Sequence, residues 1–207
     1  MPASAAPADA GVLWLAALQR ALGRAAHDVK DALNGVSVNL EVVRSRAGRA
    51  EAPASAVAPF AEAAAQQLER LTALLDTVLS LGRSERAPVD LSVTLRRVDS
   101  LCGASSTATD ARVVVRDLHD GDARTSVVGD AVRLALAAPL LDAVVGARSA
   151  LPDGLECELT GEPDSLVVRL RTGRPVTIAP DVAEAIRLAG VRWTEDAAEL
   201  SLFFPRA

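Results

Sequence analysis

Ala25-Ala26-His27-Asp28-Val29-Lys30-Asp31-Ala32-Leu33-Asn34 is the stretch on which the reading of this chain turns. It sets one of the two histidines inside an apolar helical repeat. Around it Leu15, Leu18, Leu22, Ala25, Val29, Ala32, Val36, Asn39 and Val43 recur at threes and fours, and Ala26, Leu33 and Leu40 widen the seam at steps of seven. With Leu22, Val29, Val36 and Val43 at heptad position a, His27 falls at position f and faces solvent. Lys30, Asp31 and Asn34 follow at i+3, i+4 and i+7, along the same exposed stripe as the imidazole. An exposed histidine on a helix is ordinarily a plain surface residue. At the head of a charged strip it is a candidate site.

Working outward, the repeat predicts a long helix over 11–46 after an Ala/Pro-rich flexible tail at 1–10. Residues 48–53 interrupt it. A second helix is expected over 54–81, where Phe60, Ala64, Leu68, Leu71, Leu75 and Val78 are spaced at threes and fours and Pro59 sits near the start; Gly82 and Pro88 end it. The two form an antiparallel hairpin domain over 11–87. Its apolar seams are wider than one partner helix can cover, so two chains are expected to pair into a dimeric four-helix bundle.

From 88 the rhythm shortens. Strands are expected at 113–115 and 126–128, a helix over 130–148, and a hairpin of 155–159 with 166–170 around Gly161-Glu162-Pro163-Asp164. Another helix is expected over 181–189 and a closing pair of strands within 191–204, and an alternative reading of 91–101 is a short packing helix at the hinge. The fold class is α+β, with a second domain over 88–207 in which helices cover one face of a mixed sheet.

Composition narrows the function. Half of the 207 residues are hydrophobic and aromatics are scarce, so the core is aliphatic. A net charge of -5, with arginines scattered among acids, offers no field for nucleic acid, which is not expected as a partner. Cys102 and Cys157 stand apart from any second thiol or histidine at metal-ligand spacing, so buried free thiols and no metal site of the chain's own are expected. No apolar run approaches the roughly twenty residues of a membrane span, and 1–10 lacks a basic leader. A cytoplasmic protein without membrane contact is the expectation. His119, in His119-Asp120-Gly121-Asp122, reads as a turn residue.

The run His27-Asp28-x-Lys30-Asp31-x-Leu33-Asn34, followed by Asn39-Leu40-Glu41, resembles the H-box of the dimerisation and histidine-phosphotransfer domain of two-component histidine kinases. That family has an acidic residue after its phosphoacceptor histidine and a basic one at the third position, as Asp28 and Lys30 are here. It usually has Asn or Thr where Asp31 stands, an amide or hydroxyl that positions water for phosphatase activity, and often Pro where Ala32 stands. Gly129-Asp130-x-x-Arg133-Leu134 is similar to the start of the family's nucleotide helix, and Leu140-Leu141-Asp142-Ala143-Val144 stands at its Asn-Ala signature, with Asp142 in place of the magnesium-ligating asparagine. Where the family's adenine box reads Asp-x-Gly-x-Gly, this chain has Arg171-Thr172-Gly173-Arg174-Pro175, and 177–182 leaves no room for the glycine-rich box and lid. The second half therefore resembles a degenerate Bergerat-like α/β sandwich that has lost its phosphate-cradling loop.

Together the two resemblances imply a stand-alone dimeric histidine phosphotransferase, which passes a phosphoryl group between the receiver domains of response regulators through His27. No cofactor is then needed by this chain, because the receiver supplies Mg2+ and the acidic pocket. Asp28 is expected to orient the imidazole and hold its tautomer, and Lys30 to steady phosphoryl oxygens or pair with an acidic receiver edge. Asp31 and Asn34 would frame docking, with Gly35, Val38 and Val42 as a small or apolar patch beneath. The alternatives are a non-enzymatic dimer that sequesters a receiver or kinase, an active histidine kinase with an unusual ATP site, and a purely structural hairpin.

Overall fold

The computed structural model describes residues 9–48, 53–83, 86–104, 113–119, 121–146, 155–172 and 175–207, without the side chains of 24, 28, 103–104, 113 and 144–146. Helix α1, Ala10–Ala47, opens on Asp9, whose carboxylate accepts from the Gly11 N–H at 2.8 Å, and carries Arg44 and Arg46 in its last turn. Both ends thus suit the helix dipole and its orphan amides. At ~1.5 Å per residue it runs nearly 60 Å.

Arg46 closes the hairpin. Its Nη1 donates to the Ala56 carbonyl at 2.8 Å and its guanidinium lies 4.6 Å from the centre of the Phe60 ring. Helix α2, Ala58–Leu81, starts later than the expected 54, because Ala54–Ala56 form a separate 3-10 turn. Pro59 lacks an N–H and has a fixed φ, so it belongs in the first turn of a helix rather than further inside.

The rest is an α+β layer. Strand β1 (Val89–Asp90) leads into α3 (Leu91–Ala104); β2 (Val113–Asp117), β3 (Arg124–Thr125) and α4 (Gly129–Gly146) follow. Then come β4 (Leu155–Gly161), β5 (Ser165–Arg171), α5 (Pro180–Leu188), β6 (Arg192–Glu195) and β7 (Glu199–Pro205). The main sheet has the order β2-β4-β5-β7-β6, with β2 parallel to β4 and the other pairs antiparallel; β1 and β3 make a separate two-stranded ribbon.

The closing pair of strands forms where it was expected, and of the readings of 91–101 the packing helix is the one the structure has, as α3. The strand expected at 126–128 does not form. Val127 is buried, but its N–H turns to the Thr125 hydroxyl at 3.2 Å instead of joining a ladder, and the paired residues are Arg124 and Thr125.

Alternation along the strands separates the two faces of the sheet. Leu155, Cys157 and Leu159 of β4, Leu166, Val168 and Leu170 of β5, and Leu200, Leu202 and Phe204 of β7 all point into one core. On the other face Arg116, Glu156, Glu158, Arg171 and Glu199 form a ladder of ion pairs, the shortest being Arg171 to Glu199 at 2.7 Å. Helices therefore cover a single face, as the sequence implied.

Helix α4 is buried on every side from Ala131 to Leu141, as an apolar-all-round helix must be. Its Asp130 and Arg133, the acid and base of the Gly-Asp-x-x-Arg-Leu run, pair with each other at 2.8 Å.

Helix α1 belongs to this core as well as to the hairpin. It packs against α3, α4 and α5 in addition to α2. Trp14, Ala17, Leu18 and Ala21 lie in the same buried cluster as Leu81, Leu95, Leu134 and Phe204. The expected seam is corrected at this end: Trp14 is buried, and its neighbour Leu15 is 54% exposed. The Trp14 indole N–H donates to the Leu81 carbonyl at 3.3 Å, one of the orphan acceptors at the end of α2.

Candidate functional site

His27 lies partway along α1, about six turns before the hairpin bend, on a face that neither α2 nor the α/β layer covers. Its side chain is 75% exposed. Nδ1 lies 3.2 Å from Oδ2 of Asp31, one turn on. A carboxylate only accepts, so through this contact the neutral ring carries its proton on Nδ1 and its lone pair on Nε2. Residues at i and i+4 stack on one face of a helix, whereas i+1 points about 100° away. Asp31 is thus the carboxylate that meets the ring; the side chain of Asp28, which was expected to orient it, lies outside the described residues.

Below the imidazole the stripe continues. Successive steps of three and four residues carry it from His27 through Asp31, Asn34, Val38 and Glu41 to Ser45, a span of ~27 Å at the helical rise. Lys30 lies on one flank and is exposed, as are Asp31 and Asn34. Val38 is 63% exposed, and with Glu41, Val42, Ser45 and Arg46 it lines an open groove of about 520 Å³. The arrangement joins a nucleophilic nitrogen to a mixed apolar and charged surface, three turns apart on one helix.

Gly35 does not belong to that surface. A Cβ on it would come within 2.6 Å of the Gln67 amide on α2, so Gly35 faces the second helix and leaves room for the end of that side chain. Gln67, and Ser45 and Arg46 as groove residues, carry no signal in the sequence, because their placement depends on how the hairpin closes.

The remaining candidates are structural or silent. Asp142 is exposed near the end of α4, Thr172 is buried, and Gly173 and Arg174 lie outside the described residues. Among the described residues no group of three or more His, Cys, Asp and Glu side chains is gathered so as to hold a metal. His119 is partly buried rather than in an open turn: its Cδ2 lies 3.1 Å from where a Cβ on Gly161 would be, and its Nε2 is enclosed without a hydrogen-bond partner. Burial pushes the Cys102 thiol up to about 12 and the Cys157 thiol higher still, with Asp99 adding to both. Among the described residues no helix is long and apolar enough to cross a membrane.

No protein-family model matches the chain, and neither does any curated protein. Among solved structures it is similar to the Acinetobacter baumannii histidine kinase AdeS, at 11% identity and a TM-score of 0.43 over 86% of this chain and 97% of that one. It is also similar to the histidine kinase domain of the Erythrobacter litoralis EL346 blue-light activated histidine kinase, at 12% identity and a TM-score of 0.40 over 85% and 94%. Likeness at that level says nothing of chemistry.

Proposed function

We propose that this chain is a histidine phosphotransferase of a two-component phosphorelay, taking a phosphoryl group from the aspartyl phosphate of one receiver domain and giving it to another. The observation that carries the reading is His27: a ring exposed on an uncovered helical face with Nδ1 3.2 Å from Asp31, an arrangement that in the neutral tautomer donating to the carboxylate leaves Nε2 free to attack. Attack by the Nε2 lone pair on phosphorus forms the N–P bond, and the breaking P–O bond leaves its electrons on the receiver's carboxylate. Return to a second aspartate reverses these bonds. The receiver brings Mg2+, and this chain needs no nucleotide of its own.

The groove beneath, with Val38 and Val42, is where the receiver would rest, and Asn34 lies between it and the histidine. A second copy is implied by Leu33 and Leu40 on α1 and Leu68 and Leu75 on α2. Each pair is set seven residues apart, and all four are about half exposed in the single chain.

The test is to mix the purified protein with receiver domains phosphorylated on aspartate and to follow acid-labile, base-stable label. Label on the wild type that His27→Ala abolishes supports the reading. Unlabelled protein that still binds a receiver through the same groove would make it a sequestering scaffold. Label from ATP and Mg2+ with no receiver present would make it a kinase.

A further inference from the structure

Helices α1 and α2 hold two guanidinium groups that the fold leaves unpaired. Arg20 and Arg70 are exposed, and neither joins an ion pair among the described residues. No Asp or Glu stands three or four residues from either, whereas Arg44 has Glu41 and Arg133 has Asp130 at that spacing. Both cations flank His27. Arg20 comes seven residues before it, which returns the helix to the same face ~10 Å away. Arg70 reaches that face from α2. Gln67 meets Gly35 across the hairpin, and at about 100° per residue Leu68 and Leu75 fall to one side of Gln67 while Arg70 falls to the other. On α1, Leu33 and Leu40 lie to one side of the same seam and His27 to the other. Antiparallel helices turn in opposite senses when seen from one end, so the leucines of both share one face of the hairpin and Arg70 shares the other with His27. Three residues past Gln67, Arg70 is level with Ala32, ~8 Å along the axis from His27. The acids of α2 stand elsewhere: Glu62, Glu69 and Asp76, exposed and seven residues apart, lie on the side of that helix turned away from α1.

We infer that Arg20 and Arg70 form a two-point electrostatic landing for the acidic rim of a phosphorylated receiver, one on each side of His27, and that they set the rate of encounter rather than the rate of transfer. The inference rests on the phosphotransferase reading above. A phosphorylated receiver presents its phosphoryl group and carboxylates to the histidine, and a chain of net charge -5 repels such a partner at long range. Cations gathered where the partner lands reverse that repulsion locally and orient the approach. Lys30 adds a further exposed cation on the flank, and Asp31, the described carboxylate on the face between the two arginines, is met by the ring. Neither guanidinium has an acid to leave before it can meet the receiver, so docking breaks no ion pair within this chain. Each can take a receiver carboxylate by two parallel N–H donors, which fixes the receiver's orientation as well as drawing it in.

The experiment is single-turnover transfer to the full-length protein from a receiver domain phosphorylated with acetyl phosphate, followed over a range of receiver and NaCl concentrations. The double variant Arg20→Gln with Arg70→Gln is expected to lose about fivefold or more in the second-order rate constant at low salt and to keep the saturated rate within about twofold. The loss is expected to vanish near about 0.5 M NaCl, where the screening length is ~4 Å. Removing the same two charges from the α/β layer, by Arg187→Gln with Arg192→Gln, is expected to change the low-salt constant by less than about twofold. Far-UV circular dichroism matching the wild type shows that both variants keep the fold. Equal losses from the two pairs would reduce the effect to net charge and overturn the inference. So would a wild-type rate for the Arg20 and Arg70 variant at low salt, a loss that persists at high salt, or a fall in its saturated rate. Wild-type protein that no receiver labels overturns the phosphotransferase reading itself.

Discussion

A histidine is a nucleophile through whichever ring nitrogen lacks the proton, and here the carboxylate one helical turn away decides which that is. The sequence showed His27 and its exposure, since a residue outside the seam of a regular helix has only solvent to face. It also showed two carboxylates nearby, Asp28 and Asp31. Neighbours on a helix surface lie three and four residues apart, and Asp31, at i+4, is 3.2 Å from the ring; the side chain of Asp28 lies outside the described residues. The cysteines were legible too, as isolated thiols. Because burial raises both, neither Cys102 nor Cys157 forms thiolate at neutral pH. The native protein is expected to show no reaction with a thiol reagent such as DTNB at pH 7.5, and both thiols are expected to react once it is unfolded in guanidinium chloride. Fast labelling of either in the native protein would contradict that burial.

Helix α1 serves two tasks along its length. From Trp14 to Ala21 it is part of the core of the α/β layer, and from His27 onward it presents the exposed stripe and groove. The heptad reading found the helix and its length but set the seam on Leu15. A repeat drawn for one partner helix cannot show that α3, α4 and α5 cover an adjoining face, since those contacts join parts of the chain far apart in sequence. Trp14→Ala is expected to cost about 3–5 kcal/mol in urea unfolding, the usual loss for a large buried aromatic. Trp14→Phe keeps most of the packing but strips the donor from the Leu81 carbonyl, at a cost of about 1 kcal/mol. A loss below 1 kcal/mol for Trp14→Ala would show that the two halves do not share the core described here.

At the scale of the whole molecule, hairpins and alternation were readable because each joins elements that follow one another in the chain. The parallel pairing of β2 with β4 was not, because β3 and α4 intervene between the two strands. Partner copies are invisible in one chain except as what they would cover, namely the half-exposed Leu33, Leu40, Leu68 and Leu75. Light scattering on the purified protein is expected to give twice the chain mass of 21.5 kDa. Leu68→Glu is expected to shift it towards the monomer by placing a charge on that face. A wild type that stays monomeric at tens of micromolar would remove the second copy from the account.

The central claim is that phosphoryl groups pass through His27, and transfer from phosphorylated receivers tests it most directly. The account predicts acid-labile, base-stable label on the wild type, reversible on adding a second unphosphorylated receiver, and none on His27→Ala. Label that survives His27→Ala, or no label from any receiver, would contradict it.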